Sequence, residues 1–199
     1  DLKTIKRFFK LNREAFYLSS CTLVAVLLIG IIPGMALSVL LGLLLFLRRV
    51  FRPSDQLLGV DADGRIHSLS NKVQPIDNVI MYRFNSTLTY FNIAYFKKRI
   101  INIVDESSDH VNYVIVDAIP CFTYQDVSVL MGIDELVHSL KARNTILILA
   151  GRRKTIKRWF KEMSIYLDES YIEFTYDLYF ALRMVQSKEH MSDLSDDDD

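Results

Sequence analysis

One stretch of this chain departs from every other in its pattern. Ala15–Leu47 (AFYLSSCTLVAVLLIGIIPGMALSVLLGLLLFL) contains no Asp, Glu, Lys, Arg or His. A helix crossing a bilayer needs about 20 predominantly apolar residues. A helix apolar on all sides belongs in a membrane or a large core. Gly30 and then Pro33-Gly34 punctuate the run. Proline breaks or kinks a helix and glycine permits a tight turn. The pattern predicts a helical hairpin, with Glu14–Ile32 going in, a turn at Pro33-Gly34, and Met35–Leu47 returning. One long kinked helix crossing once is the alternative. The second arm is nearer re-entrant than full-span length, and it fits a membrane only if it is buried against other protein or extends through Arg48 and Arg49 into the headgroups.

Beyond Pro53 the pattern changes to short alternating and apolar segments. Leu57–Val60 and Arg65–Leu69 flank Asp61-Ala62-Asp63-Gly64, a turn signal between two strands. Asn71–Asp77 is polar, and Val79–Phe84 reads as a strand. Tyr90, Phe91, Ala94, Tyr95, Ile100, Ile101 and Val104 then follow a helical period. Val111–Val116 and Thr145–Ala150 are apolar and β-branched, as buried parallel strands are. Between them Asp126–Ala142 carries a helical apolar face. Lys154–Ile165 is a further helix, Ile172–Phe174 a short strand and Asp177–Gln186 the last helix. Strands alternating with helices predict an α/β fold, with helices packed on a mostly parallel sheet. Upstream, Asp1–Arg13 interleaves cations with apolar residues, which suits either an amphipathic surface helix or a basic loop. Asp193–Asp199 is an acidic tail that charge repulsion should leave disordered.

Charge refines this picture. Five cations precede the apolar run (Lys3, Lys6, Arg7, Lys10, Arg13), and Arg48, Arg49 and Arg52 follow it. Basic flanks stay cytoplasmic, so both ends of the hairpin are expected there. The 199 residues hold 24 basic and 24 acidic side chains, and this balance argues against nucleic acid as a main partner. Cys21 and Cys121 are too few and too far apart for a disulfide framework. The sequon Asn85-Ser86-Thr87 falls on the cytosolic side and is expected to stay unmodified. The chain opens on Asp1, not Met, and reads as the C-terminal piece of something longer.

These features together resemble the C-terminal portion of the SulP anion transporters, the family of sulfate permeases and SLC26 exchangers. The resemblance rests on the hairpin with its IIPG, the basic LRRVFRP, and LLGV. It continues through NVIMYRFN (Asn78–Asn85), LTYFNIAYFKKRII (Leu88–Ile101), YVIVD (Tyr113–Asp117) and Asp126–Leu140. It implies an α/β fold with a STAS-like, mostly parallel sheet preceded by a transmembrane helical hairpin. Residues 1–53 would end the membrane domain, 54–190 form a cytoplasmic STAS domain, and 191–199 the acidic tail. STAS domains commonly carry an Asp-Ser/Thr-Thr/Ser-Gly turn after the strand that ends in Asp. Here that region reads Phe122-Thr123-Tyr124-Gln125-Asp126-Val127-Ser128, without the glycine or the hydroxyl pair, which argues against a phosphoswitch of the anti-sigma-antagonist kind.

The candidate regulatory loop is therefore Asp117, Thr123, Gln125, Asp126 and Ser128. The bland reading of these residues is helix capping. A second candidate is the basic face Arg152, Arg153, Lys154, Lys157, Arg158 and Lys161. It suits anionic lipid, the acidic tail or a protein partner, and equally a solvated face over a core stripe. Gly151-Arg152-Arg153-Lys154 lacks the further glycines of a phosphate loop. His67, His110, His138 and His190 show no metal-ligand spacing. No catalytic constellation and no cofactor site is visible, and the resemblance implies that the anion site lies in earlier membrane helices, with no substrate-binding residue in this segment. The resemblance implies part of a secondary transporter of sulfate, bicarbonate or chloride in a multi-pass inner or plasma membrane protein. The STAS domain would serve assembly and regulation, with an inorganic anion, membrane lipid, a second copy of the chain and a cytosolic protein as partners. A stand-alone membrane-anchored STAS module is the alternative, and a tethered enzyme the weakest.

Overall fold

Gly30, not Pro33-Gly34, turns the apolar run. Helix α1 spans Arg13–Ile29 (17 residues) and α2 spans Ile31–Phe51 (21 residues). Gly30 between them has φ +97°, a left-handed conformation that costs glycine little. Pro33 falls in the first turn of α2, where a backbone N–H has no intrahelical partner to lose. The second arm takes the longer of its two expected forms. The helix continues past Arg48 and Arg49, and α2 is long and apolar enough to cross a membrane, whereas α1 is shorter. The arms touch through their backbones: a Cβ on Gly34 would lie 2.7 Å from the Val26 Cα. The Thr22 and Ser38 hydroxyls hydrogen-bond across the arms at 2.9 Å. Most other side chains of α2 point outward, Ile32 and Val39 among them.

The computed structural model describes residues 13–69 and 76–196. The chain divides after Phe51 into two compact units. The second unit is built on strands β1 (Asp55–Val60), β2 (Ile66–Ser68), β3 (Val79–Phe84), β4 (Tyr113–Asp117), β5 (Ile146–Ala150) and β6 (Ile172–Thr175). They form one six-stranded sheet in the order β2-β1-β3-β4-β5-β6. β1 is antiparallel to both neighbours, and β3 through β6 are parallel. The β1–β2 turn is built by Asp61, whose carboxylate accepts from the backbone N–H of Asp63 (3.0 Å) and Arg65 (2.8 Å).

Alternation along the central strands divides the core. Val114, Val116, Leu147 and Leu149 face a cluster shared with helices α3 (Ile93–Glu106), α5 (Val127–Lys141) and α6 (Arg153–Glu162). Ile115, Ile148 and Ala150 face the other way, against Leu178, Ala181 and Val185 of α7 (Leu178–Asp196). A strand apolar on both faces is what a sheet covered on both sides requires. The mostly parallel α/β sheet expected from the sequence is therefore the fold observed, behind a helical hairpin.

Three departures from the expectation stand out. Tyr90 and Phe91 stand outside α3, because Asn92 imposes a turn. Its amide accepts from the Thr89 N–H (2.9 Å) and donates to the Thr87 carbonyl (3.0 Å), and such local bonds compete with helix. A four-residue helix α4 (Ala118–Cys121) follows β4. α7 runs through Asp196 instead of ending at Gln186. It contains no glycine or proline to stop it, and its backbone carries the helix into the acidic tail as far as Asp196. Residues 1–12, most of the amphipathic segment, lie outside the described residues, as do 70–75 and 197–199.

Register places one set of termini together. Asp55 pairs with Phe84, and Asp117 with Ala150, which pairs in turn with Thr175. The polypeptide thus enters the sheet at the end where its parallel strands finish.

Candidate functional site

In open α/β sheets, sites form beyond the carboxyl ends of the strands. The loops after β3, β4 and β5 gather there. Asp117 closes β4 and is 6% exposed. One carboxylate oxygen accepts from the Ile119 N–H (3.2 Å), starting α4, and the other from Arg83 Nε of β3 (2.8 Å). A buried carboxylate needs such partners. The Cys121 thiol donates to the Asp117 carbonyl (3.2 Å).

Burial, reinforced by the Asp117 charge, pushes the Cys121 thiol up to about 12. The folded state keeps it neutral while a free thiol ionises from about pH 8.5. The sign follows: below that range neither state is ionised and stability is unaffected. Between it and about pH 12 the unfolded chain gains thiolate and stability falls. In a Cys21→Ser background, Cys121 should react with a disulfide reagent at pH 8 on the order of 100-fold more slowly than the unfolded chain. Equal rates would mean that Cys121 is open to solvent.

The rest of the expected regulatory loop divides by role. Asp126 caps α5, its carboxylate accepting from the N–H of Ser128 (2.9 Å) and Val129 (3.3 Å). Its second oxygen accepts from the Tyr90 N–H at 3.3 Å, tying the β3–α3 loop to the start of α5. Thr123 bonds the Thr87 hydroxyl at 2.9 Å, and Gln125 reaches Glu162 of α6. Ser128 contributes its backbone N–H. Asp117, Thr123 and Asp126 therefore join the loops into one surface, while Gln125 points to a different neighbour. Replacing Asp126 by alanine should lower stability by about 1 kcal/mol, the usual value of an N-cap. Urea unfolding would measure it, and Asp126→Asn should recover most of the loss.

The basic face is also split. Gly151 (φ +102°) and Arg152 (φ +50°) form the turn into α6, and a Cβ on Gly151 would lie 2.6 Å from Ile119 Cγ1. Arg152 Nε donates to the Ile119 carbonyl at 3.2 Å. Arg153 lies over the Tyr176 ring, 5.3 Å from its centroid. Arg152, Arg153 and Lys154 thus sit at the loop end of the sheet. Lys157, Arg158 and Lys161 continue down α6. Lys157 stacks on Phe174 (5.3 Å), and Arg158 pairs with Glu162 (3.6 Å). Ile156, Trp159 and Phe160 form the buried stripe beneath.

Four residues of this end were not singled out from the sequence: Arg83, Thr87, Asn92 and Ile119. Thr87 was visible only as part of a sequon. Among the described residues, no three His, Cys, Asp or Glu side chains gather as a metal ion requires. A cavity of about 360 Å³ lies elsewhere, at the opposite end of the sheet between Val79, Ile103 and His110.

Known proteins resemble this chain over both of its units. Two curated relatives, each named "Probable sulfate transporter", come from the CDC 1551 and H37Rv strains of Mycobacterium tuberculosis. Each is 26% identical over 168 residues, covering 83% of this chain and 30% of the relative. The chain thus spans about a third of the length of the curated relatives it matches. In fold it is similar to the murine Solute Carrier 26 family member A9 anion transporter in its inward-facing state. The TM-score is 0.72 at 13% identity, over 92% of this chain and 30% of that one. A second structure of SLC26A9 gives 0.69 at 12% identity, over 96% of this chain and 33% of that one. These findings bear out the resemblance to the SulP and SLC26 transporters. The STAS domain family model matches residues 71–170, half of the chain, and the chain belongs to the STAS domain family.

Proposed function

We propose that this chain forms the last membrane hairpin and the cytoplasmic STAS domain of a SulP-type secondary anion transporter. The observation that carries the proposal is the extent of the match to the two sulfate transporter relatives. It covers 83% of the chain, more residues than the α/β unit holds, so it includes part of the hairpin. In this reading the hairpin is scaffold, and the anion, of the sulfate, bicarbonate or chloride class, is bound by membrane segments outside these residues. Transport in such folds moves one bundle past another, and the STAS domain biases that motion and supports assembly as a homodimer. The regulatory surface is the loop end holding Asp117, Thr123 and Asp126, with Ser128 and Gln125 at its margin. The same surface is where a cytosolic protein would act.

The test uses the complete gene product in proteoliposomes, with uptake of labelled sulfate and bicarbonate measured with and without residues 57–199. Uptake that falls on truncation is the expected result. No uptake of either anion by the complete protein would sink the transporter reading and leave a membrane-anchored STAS module.

A further inference from the structure

The loop end of the sheet carries a connected line of aromatic, aliphatic and cationic side chains facing outward. Phe180 meets Tyr176 edge to face at 5.7 Å, Tyr176 lies under Arg153, and Arg152 bonds the Ile119 backbone. Ile119 is 53% exposed, Tyr176 60% and Phe180 49%, and Lys154 is exposed beside them. The neighbouring carboxylates have other partners. Asp117 holds Arg83, Asp126 caps α5, and Asp177 accepts from the Phe180 N–H at 2.7 Å. Cations interleaved with large apolar and tyrosine side chains suit the headgroup layer of a bilayer, where aromatic rings settle and basic residues meet anionic lipid.

Chain connectivity points the same way. α2 ends at Phe51 and β1 begins at Asp55, so the linker is residues 52–54. The four Cα–Cα steps from Phe51 to Asp55 reach about 14 Å when extended. Asp55 sits opposite Phe84, at the same end as the aromatic and cationic line. This limit depends on chain length alone and holds for any relative orientation of the two units. The line thus belongs to the end of the domain that is tied closest to the membrane helix.

We propose that Ile119, Arg152, Arg153, Lys154, Tyr176 and Phe180 form a docking strip for the anionic headgroups of the bilayer. The inference rests on reading the hairpin as membrane-embedded, which is measured separately here. The full chain is reconstituted into liposomes of phosphatidylcholine alone or with about one third phosphatidylserine. Its insertion is scored by resistance to carbonate extraction, and its backbone amide exchange is followed by mass spectrometry. Residues 118–124 and 175–181 should exchange at least about fivefold more slowly in the anionic bilayer, the effect of one interfacial cation. The triple variant Arg152→Gln, Arg153→Gln, Lys154→Gln should lose that difference. The variant Lys157→Gln, Arg158→Gln, Lys161→Gln, with the same change of charge further along α6, should keep it within about twofold.

Equal protection in both lipids would mean that a protein surface covers the strip, and would overturn the proposal. Equal loss in the two triple variants would also overturn it, since the attraction would then be diffuse. A chain that inserts but shows no protection refutes the strip alone. A chain that fails to insert refutes the membrane reading and the strip together.

Discussion

Replacing Phe96 by alanine will lower the unfolding free energy of the α/β unit by about 3–5 kcal/mol, the range for a large buried aromatic. Phe96 is fully buried on α3. Its ring packs against Tyr82 (centroids 5.8 Å apart) and Phe84 (5.4 Å, edge to face). Both partners lie on β3, the strand where the antiparallel and parallel parts of the sheet meet. The empty volume would therefore open beneath the strand that joins the two parts. A domain of this size is stable by about 5–15 kcal/mol, so the loss is a large fraction of the whole. Chemical denaturation followed by tyrosine and tryptophan fluorescence would measure it. Phe180→Ala, at an exposed site, should change stability by less than about 0.5 kcal/mol. Similar losses for the two variants would show that Phe96 is not a core residue.

The second large effect is expected at Gly34. A leucine there must place its Cβ where Val26 now stands, at 2.7 Å from the Val26 Cα and 2.8 Å from its N. Those are backbone atoms, which cannot swing aside as the end of a side chain can. The arms must separate, and the Thr22–Ser38 hydrogen bond at 2.9 Å goes with the separation. The hairpin should lose about 3 kcal/mol, the upper part of the range for overpacking. Close approach of small residues is the usual basis of helix association in membranes. Gly42 is the control, since a Cβ there meets nothing within 4 Å. Gly42→Leu should leave thermal unfolding in detergent unchanged, while Gly34→Leu lowers the midpoint or raises protease sensitivity between the arms. Equal behaviour of the two variants would refute a tight hairpin.

Legibility of the fold followed how local its causes are. β4 and β5 were readable because a strand covered on both faces writes its burial into consecutive apolar residues. The helices on the sheet were readable from their period, although Tyr90 and Phe91 fitted that period without being helical. The side chain that excludes them, Asn92, acts through two bonds that a hydrophobic pattern does not encode. Pro33 was misread for a related reason: proline suits the first turn of a helix as well as the turn before one. Only the positive φ of Gly30 separates these cases. Helix α4, with four residues and an internal proline, is too short for any period to register.

At the candidate site, Asp117 was readable from its place at a strand end. Its partner Arg83 was not, being 34 positions earlier. Thr87 and Thr123 meet across 36 positions. Such pairs depend on which strands are neighbours, and therefore on the register between β3 and β4, which no single stretch specifies.

The pairing of Asp55 with Phe84 also fixes how the domain bears a mechanical load. Tension applied at residue 52 along β1 pulls that strand lengthwise past β3. Asp55 through Leu58 pair with Phe84 through Met81, so their rungs are strained together and not one after another. Asp55 is further held to α3 by Arg99, at 2.8 Å. A strand loaded in shear and pinned at its first residue transmits displacement before it yields. A pull on the linker would thus move the sheet as one rigid body and would not unzip its edge.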